Sequence, residues 1–175
     1  MKKAFIFLLA VYILLFAVGC SVPIPRLSET VFSIEDYRLQ LTANSTFKEN
    51  TGGEFDLQIT NDYAYISVMA YNYSDLSQGL TPPDVYDMQN EDLFSKRTDV
   101  VVLEEVKTQV ISQRTVMHTL FSAKNNGVEN YYTSYLVDLP YAETFAWVLV
   151  SSTPSYYTEN KDMLHSIVCS LTSAE

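Results

Sequence analysis

The chain has 175 residues, 47% of them hydrophobic, with 21 acidic against 11 basic side chains and a formal net charge of −10. That length suits one domain able to bury its own core. The acid excess excludes a surface built to hold nucleic acid or to lie flat on anionic lipid, since both would repel it.

Lys2 and Lys3 open the chain as a short positive region, and Ala4 to Val18 follows as an apolar run without charge. The run has the length of a signal-peptide core and is short for a helix crossing ~30 Å of hydrocarbon. An uncleaved anchor and an ordinary secretory cleavage are the competing readings. Gly19 before Cys20, with Pro23 and Pro25 just beyond, weighs against a continuing helix. Ala17-Val18-Gly19-Cys20 resembles the lipobox of bacterial lipoproteins, with Ala17 where leucine is commoner. The resemblance implies cleavage before Cys20, a diacylglyceryl group on its thiol and an extracytoplasmic domain anchored to a bacterial membrane. Each buried CH₂ contributes about 0.8 kcal/mol, so several acyl chains on one residue hold a domain at a bilayer.

The expected organisation is a signal peptide over 1–19, the lipidated cysteine and a tether over 20–33, and a globular domain over 34–175. Loss of Lys2 and Lys3 takes the formal charge from −10 to −12. The acidic domain is expected to stand off the membrane on its tether, whose two prolines stiffen it and whose reach is at most roughly 40 Å. Cys169 is the one cysteine besides Cys20, so no internal disulfide is expected, and it reads as a small buried core residue.

Tyr37, Leu39 and Leu41 alternate with polar residues and predict a strand. Asn44-Ser45-Thr46 and Asn50-Thr51-Gly52-Gly53 bracket a short connection around Phe47 that reads as helical. Phe55, Leu57 and Ile59 predict a second strand, closed by a tight turn at Asn61-Asp62. The third strand, 63–73, carries Ala64, Ile66, Val68 and Ala70 on one side. Tyr63, Tyr65, Met69, Tyr71 and Tyr73 stand on the other, which places the strand mid-sheet with both faces covered.

Thr81-Pro82-Pro83-Asp84 starts a helix with a capping hydroxyl, proline in the first turn and an acid at the positive end of the dipole. Val85, Met88 and Leu93 mark its apolar face, with Tyr86 at the edge, and Lys96 and Arg97 end it. The acids Asp84, Asp87, Glu91 and Asp92 are ordinary helix chemistry rather than a metal site. From Asp99 to Ser152 the pattern is β, with strands over 100–110, 114–123, 131–139 and 143–152. Asn125-Asn126-Gly127 signals a tight hairpin, because asparagine and glycine tolerate positive φ. Thr153-Pro154-Ser155 opens a last helix whose stripe is Tyr157, Leu164, Ile167, Val168 and Leu171.

Segregated strands and helices predict an α+β fold, with helices packed on an antiparallel sheet. Three stretches resemble the PsbP-like family: Tyr37 to Leu41 leading to the Asn61-Asp62 hairpin, the helix from Pro82 to Arg97, and Phe145 to Val150 with the closing helix to Leu171. The resemblance implies an α/β/α sandwich, a fold shared by a photosystem extrinsic subunit, a Ran-binding nuclear transport factor and many bacterial lipoproteins. It rests on element order, so no functional residue is carried over with it.

No catalytic constellation is present. His118 and His165 stand alone in the sequence and read as structural. There is no His-x-x-x-His, Cys-x-x-Cys or Gly-x-Ser-x-Gly, and five glycines leave no phosphate cradle. No cofactor or metal is expected. The 13 tyrosines are the unusual feature. Tyr63, Tyr65, Tyr71 and Tyr73, with Asn72, Asp75 and Gln78 nearby, form a candidate surface for a partner or a sugar ring, against the plainer reading that tyrosine covers sheet faces. The expected function is a non-enzymatic, membrane-anchored lipoprotein that binds another envelope protein as an accessory or assembly factor. The alternative is a binding module for a cell-wall glycan or small ligand, and an extracytoplasmic hydrolase is the third reading.

Overall fold

The structure is a computed structural model that describes residues 27–174. The signal-peptide and Cys20 readings lie outside the described residues. In chain order the elements are β1 (Glu29–Ile34), β2 (Leu39–Asn44), β3 (Lys48–Glu49), β4 (Leu57–Thr60), β5 (Ala64–Asn72), α1 (Pro82–Ser95), β6 (Thr98–Ile111), β7 (Arg114–Asn125), β8 (Val128–Leu139), β9 (Thr144–Ser152), α2 (Pro154–Cys169) and β10 (Thr172–Ser173).

β6 to β9 form an antiparallel meander, and β5 pairs with β9 to extend it. The seven-stranded sheet runs β3-β4-β5-β9-β8-β7-β6, and a separate three-stranded sheet runs β1-β2-β10. Period-two alternation sends successive side chains to opposite faces. In β9, Ala146, Val148 and Val150 join a core under α2 and the small sheet, whereas Phe145, Trp147 and Leu149 join a second core under α1. β5 lies mid-sheet between β4 and β9 as predicted, but it runs from Ala64 to Asn72 rather than 63–73, and only one side is covered throughout: Ala64, Ile66, Val68 and Ala70 are buried while Tyr65 on the other side is exposed.

Local chemistry explains several boundaries. Asn126 (φ 51°) and Gly127 (φ 81°) join β7 to β8 in a two-residue turn closed by the Asn125↔Val128 pair. Asn61 Oδ1 accepts from the backbone N–H groups of Tyr63 (2.9 Å) and Ala64 (2.8 Å), which tightens the β4–β5 connection. The Thr81 backbone N–H and hydroxyl both donate to Asp84 Oδ2, at 2.7 and 2.5 Å, at the start of α1. In α2, Leu164, Ile167 and Val168 are buried as the stripe requires, while Leu171 lies past the helix end and is buried there.

Four sequence expectations are corrected. Residues 29–33, read as tether, belong to β1: Phe32 and Ile34 alternate with exposed residues and are buried against the core. The connection around Phe47 is the short strand β3 and no helix, with Lys48 pairing Thr60. Tyr37 sits in a 3-10 turn ended by Arg38 at φ 50°, so β2 begins at Leu39. On α1 the buried face is Val85, Tyr86, Asn90 and Leu93, with Tyr86 packed against Ser134 of β8, and Met88 is exposed. The Tyr86 hydroxyl lies 3.1 Å from the Ser134 hydroxyl that donates to it.

Asn90 shows why a polar residue sits on that buried face. Its Oδ1 accepts from the Trp147 indole N–H at 3.2 Å, and both residues are buried. Asn90→Ala leaves a buried donor unpaired and is expected to cost about 1–3 kcal/mol. Trp147 is the sole tryptophan, so a change in its native emission and an earlier denaturation midpoint measure both parts of this expectation.

Candidate functional site

The four candidate tyrosines do not form one face. Tyr65 and Tyr71 stand on one side of β5, whereas Tyr63 and Tyr73 lie just beyond its two ends, Tyr73 in a 3-10 turn, and α1 covers only the Tyr71 end. Tyr71 stacks on Phe145 with centroids 5.0 Å apart, and its hydroxyl accepts from Gln89 Nε2 of α1 at 2.9 Å. Tyr73 also packs on Phe145, at 5.6 Å, and its hydroxyl donates to the Asp138 carboxylate. Burial and that carboxylate push the Tyr73 phenol well above the usual range. These two rings are partly buried and pack against the second core.

At the other end, Tyr63 and Tyr65 are 59% and 50% exposed and stand between two clefts. Tyr63 stacks on Tyr156 of α2 at 5.3 Å, and Asn61 Nδ2 donates to the Tyr156 hydroxyl at 2.8 Å. The cleft on the α1 side, about 440 Å³, has a floor of Ser67, Ser151 and Tyr132 and is flanked by Gln58 and Arg97. Its polar groups hold one another: Gln58 Nε2 donates to Ser67 Oγ at 2.8 Å and Arg97 Nε to the Tyr132 hydroxyl at 3.3 Å. The second cleft, about 660 Å³, is lined by Thr46, Lys48, Asn61, Tyr63, Tyr65 and Tyr156. Asp62 is the one carboxylate that lines either cleft, and no histidine or cysteine does. The arrangement offers aromatic plates and amide and hydroxyl donors, with no nucleophile beside a base.

His118 and His165, distant in sequence, come together between β7 and α2 with ring centroids 5.6 Å apart. Tyr135 stacks on His118 at 5.4 Å, and His165 Nε2 lies 2.9 Å from Gln109 Nε2 and 3.4 Å from Cys169 Sγ. Cys169 is half-buried rather than fully buried, and burial pushes its thiol up against the opposing pull of Arg114. Among the described residues, no group of three or more histidine, cysteine or acidic side chains is arranged to hold a metal ion.

Burial holds both imidazoles below the usual histidine range. For His118 the neighbouring His165 and Lys107 act in the same direction and Glu104 opposes them; for His165, Asp162 opposes burial. Unfolded, both rings titrate near ~6.5, so below that pH the unfolded chain binds more protons than the folded one. Stability is therefore expected to be level above about pH 7 and to fall as pH drops from about 6.5 towards the folded-state values. Denaturant midpoints from neutral to mildly acid pH measure it, and a His118→Phe/His165→Gln variant should lose the slope.

The sequence predicts a strand over 100–110 but not its exposure. β6 is the last strand of the large sheet and pairs only with β7 among the described residues. Val101, Val102, Leu103, Val106 and Val110 on it are 42–73% exposed. Three register shifts along the β6–β7 ladder bend the strand. The strand is 14 residues long rather than the 11 the sequence predicts, and at ~3.3 Å per residue it is about twice as long as the 14-residue α1, so the helix cannot cover it.

A sheet with one helix on each face and a small sheet beside α2 defines an α+β, PsbP-like α/β/α sandwich. Solved structures share it. The cyanobacterial PsbP (CyanoP) of Synechocystis sp. PCC 6803 superposes with a TM-score of 0.61 at 9% identity, over 89% of this chain and 98% of that one. LpqN of Mycobacterium tuberculosis, described as involved in cell envelope biogenesis, gives 0.62 at 11% identity over 86% and 92%. The Ran-binding protein Mog1p of Saccharomyces cerevisiae gives 0.55 at 12% over 86% and 97%. No family model matches the chain, and no curated protein matches its sequence. Among the described residues no helix is long and apolar enough to cross a membrane.

Proposed function

We propose that this protein is a bacterial lipoprotein, anchored through diacylglyceryl on Cys20 on the extracytoplasmic side of the membrane, whose PsbP-like domain binds another envelope protein as a non-enzymatic accessory. The observation that carries the binding role is the open β6 edge. Among the described residues its outer backbone groups have no ladder partner beside the exposed run Val101, Val102 and Leu103, ahead of the charged Glu104, Glu105 and Lys107, and an apolar open edge of this kind accepts an added strand from a partner. The described clefts lack a nucleophile–base pair, and the fold is shared with a Ran-binding protein and with a protein of envelope biogenesis. Both points support the reading.

A photocrosslinker placed at Val102 tests it. The expected result is one reproducible envelope protein captured from cells, identified by mass spectrometry and lost in Cys20→Ser. Cys20→Ser should also abolish labelling by a fatty-acid probe and leave the precursor uncut. Turnover of a substrate that one polar substitution abolishes would overturn the non-enzymatic reading.

A further inference from the structure

The open Tyr63–Tyr65 surface stands beside the point where the described chain begins. The Ser28 carbonyl accepts from the Ser45 N–H at 2.7 Å, and Thr46, the next residue, lines the larger cleft with Lys48, Tyr63, Tyr65 and Tyr156. β1 also touches β4, five strands from β6 in the large sheet. At ~4.8 Å per strand the two lie about 24 Å apart. Six residues separate Cys20 from Leu27, so the two are seven Cα steps apart, a span of at most about 25 Å. The chain therefore enters the domain on its β4 side, where Leu27 shares a cleft with Asn44 and Met163 next to the Ser45-Thr46 segment that leads into the larger cleft, and the β6 edge lies on the far side.

We propose that Tyr63 and Tyr65 face the bilayer and contact its zwitterionic headgroup layer, which leaves β6 turned outward for its partner; this rests on the Cys20 anchor. Tyrosine suits that layer because its ring is apolar and its hydroxyl is wet. Lys48 lines the same cleft, where its ammonium is placed to pair with a lipid phosphate, and Asp62 is the one acid lining it. This contact departs from the expectation of a domain standing off the membrane: it applies to zwitterionic lipid, whereas anionic lipid still repels the acidic domain. The β1 boundary matters here. Because β1 begins at Glu29, the tether is five residues shorter than one ending at residue 33, and it brings the β4 side closer to the bilayer than the β6 edge.

The test uses the full lipidated protein in phosphatidylcholine vesicles, with Tyr63→Trp, Tyr65→Trp and Val110→Trp made separately. Trp147 is 3% exposed and supplies a constant background, measured in the unsubstituted protein. Brominated phosphatidylcholine is expected to quench the tryptophans at 63 and 65 at least about twofold more than that at 110, with a blue shift on vesicle binding. Equal quenching, or stronger quenching at 110, with the protein still floating with vesicles, overturns the orientation and leaves the anchor standing. Failure to float, with no acyl mass on Cys20, overturns the anchor and the orientation with it. Unquenched tryptophans whose emission is shifted saturably by a soluble cell-wall oligosaccharide overturn the bilayer contact in favour of a glycan site.

Discussion

Phe145→Ala is expected to lower stability by about 3–5 kcal/mol, the usual cost of truncating a fully buried phenylalanine. Phe145 has no exposed surface and is the plate on which both Tyr71 and Tyr73 rest. Its loss leaves a cavity bounded by two rings that cannot close over it, since Gln89 holds one hydroxyl and Asp138 the other. For a domain of this size the melting temperature should fall by roughly 10–15 °C. Tyr71→Ala and Tyr73→Ala should follow the same direction with smaller losses, because both rings are partly exposed. Tyr65→Ala, on an open surface, should stay within about 0.5–1 kcal/mol of the unsubstituted protein. Thermal and denaturant unfolding followed by Trp147 emission distinguishes the two groups. Equal losses at positions 65 and 71 would contradict the division of the tyrosines described above.

Val102→Lys combined with Val106→Lys is expected to weaken capture of the envelope partner by about tenfold or more, because lysines on an open edge oppose strand addition. Both valines are about half exposed, so the fold should change by no more than about 0.5–1 kcal/mol. Circular dichroism and the unfolding midpoint establish that the double variant is folded, and crosslinking yield then reads the interface alone. Undiminished capture by a folded double variant would move the partner to another surface. Tyr65→Ala is the paired control, expected to leave partner capture intact.

Much of the fold is legible in the residues. Alternation in Leu57 to Ile59, the β5 run and Phe145 to Val150 predicts strands, and the hairpin at Asn126-Gly127 and the proline-led helices follow from backbone chemistry confined to a few neighbours. Those signals fail where the outcome depends on a distant partner. Phe32 and Ile34 make a strand only because β2 lies beside them, and two alternating residues next to a proline-bearing segment resemble a tether. Phe47 is buried by the sheet it enters, with too few neighbours in sequence to show it. His118 and His165 stand alone until the β7 and α2 segments are brought face to face.

The candidate surface divides in the same way. Sequence by itself determined that Tyr65 and Tyr71 share a side of one strand, because side-chain direction along a strand repeats every two residues, whereas Tyr63 and Tyr73 fall just past the strand ends. It determined equally that 100–110 is a strand and that an apolar run ends at Cys20. Only the tertiary structure decided which of these surfaces remain open. A 14-residue helix spans about 21 Å, and α1 spends that length over β8, β9 and the Tyr71 end of β5. The Tyr65 end and the β6 edge extend past it. Coverage is a matter of where one element stops over another, and no local pattern in the chain records that distance.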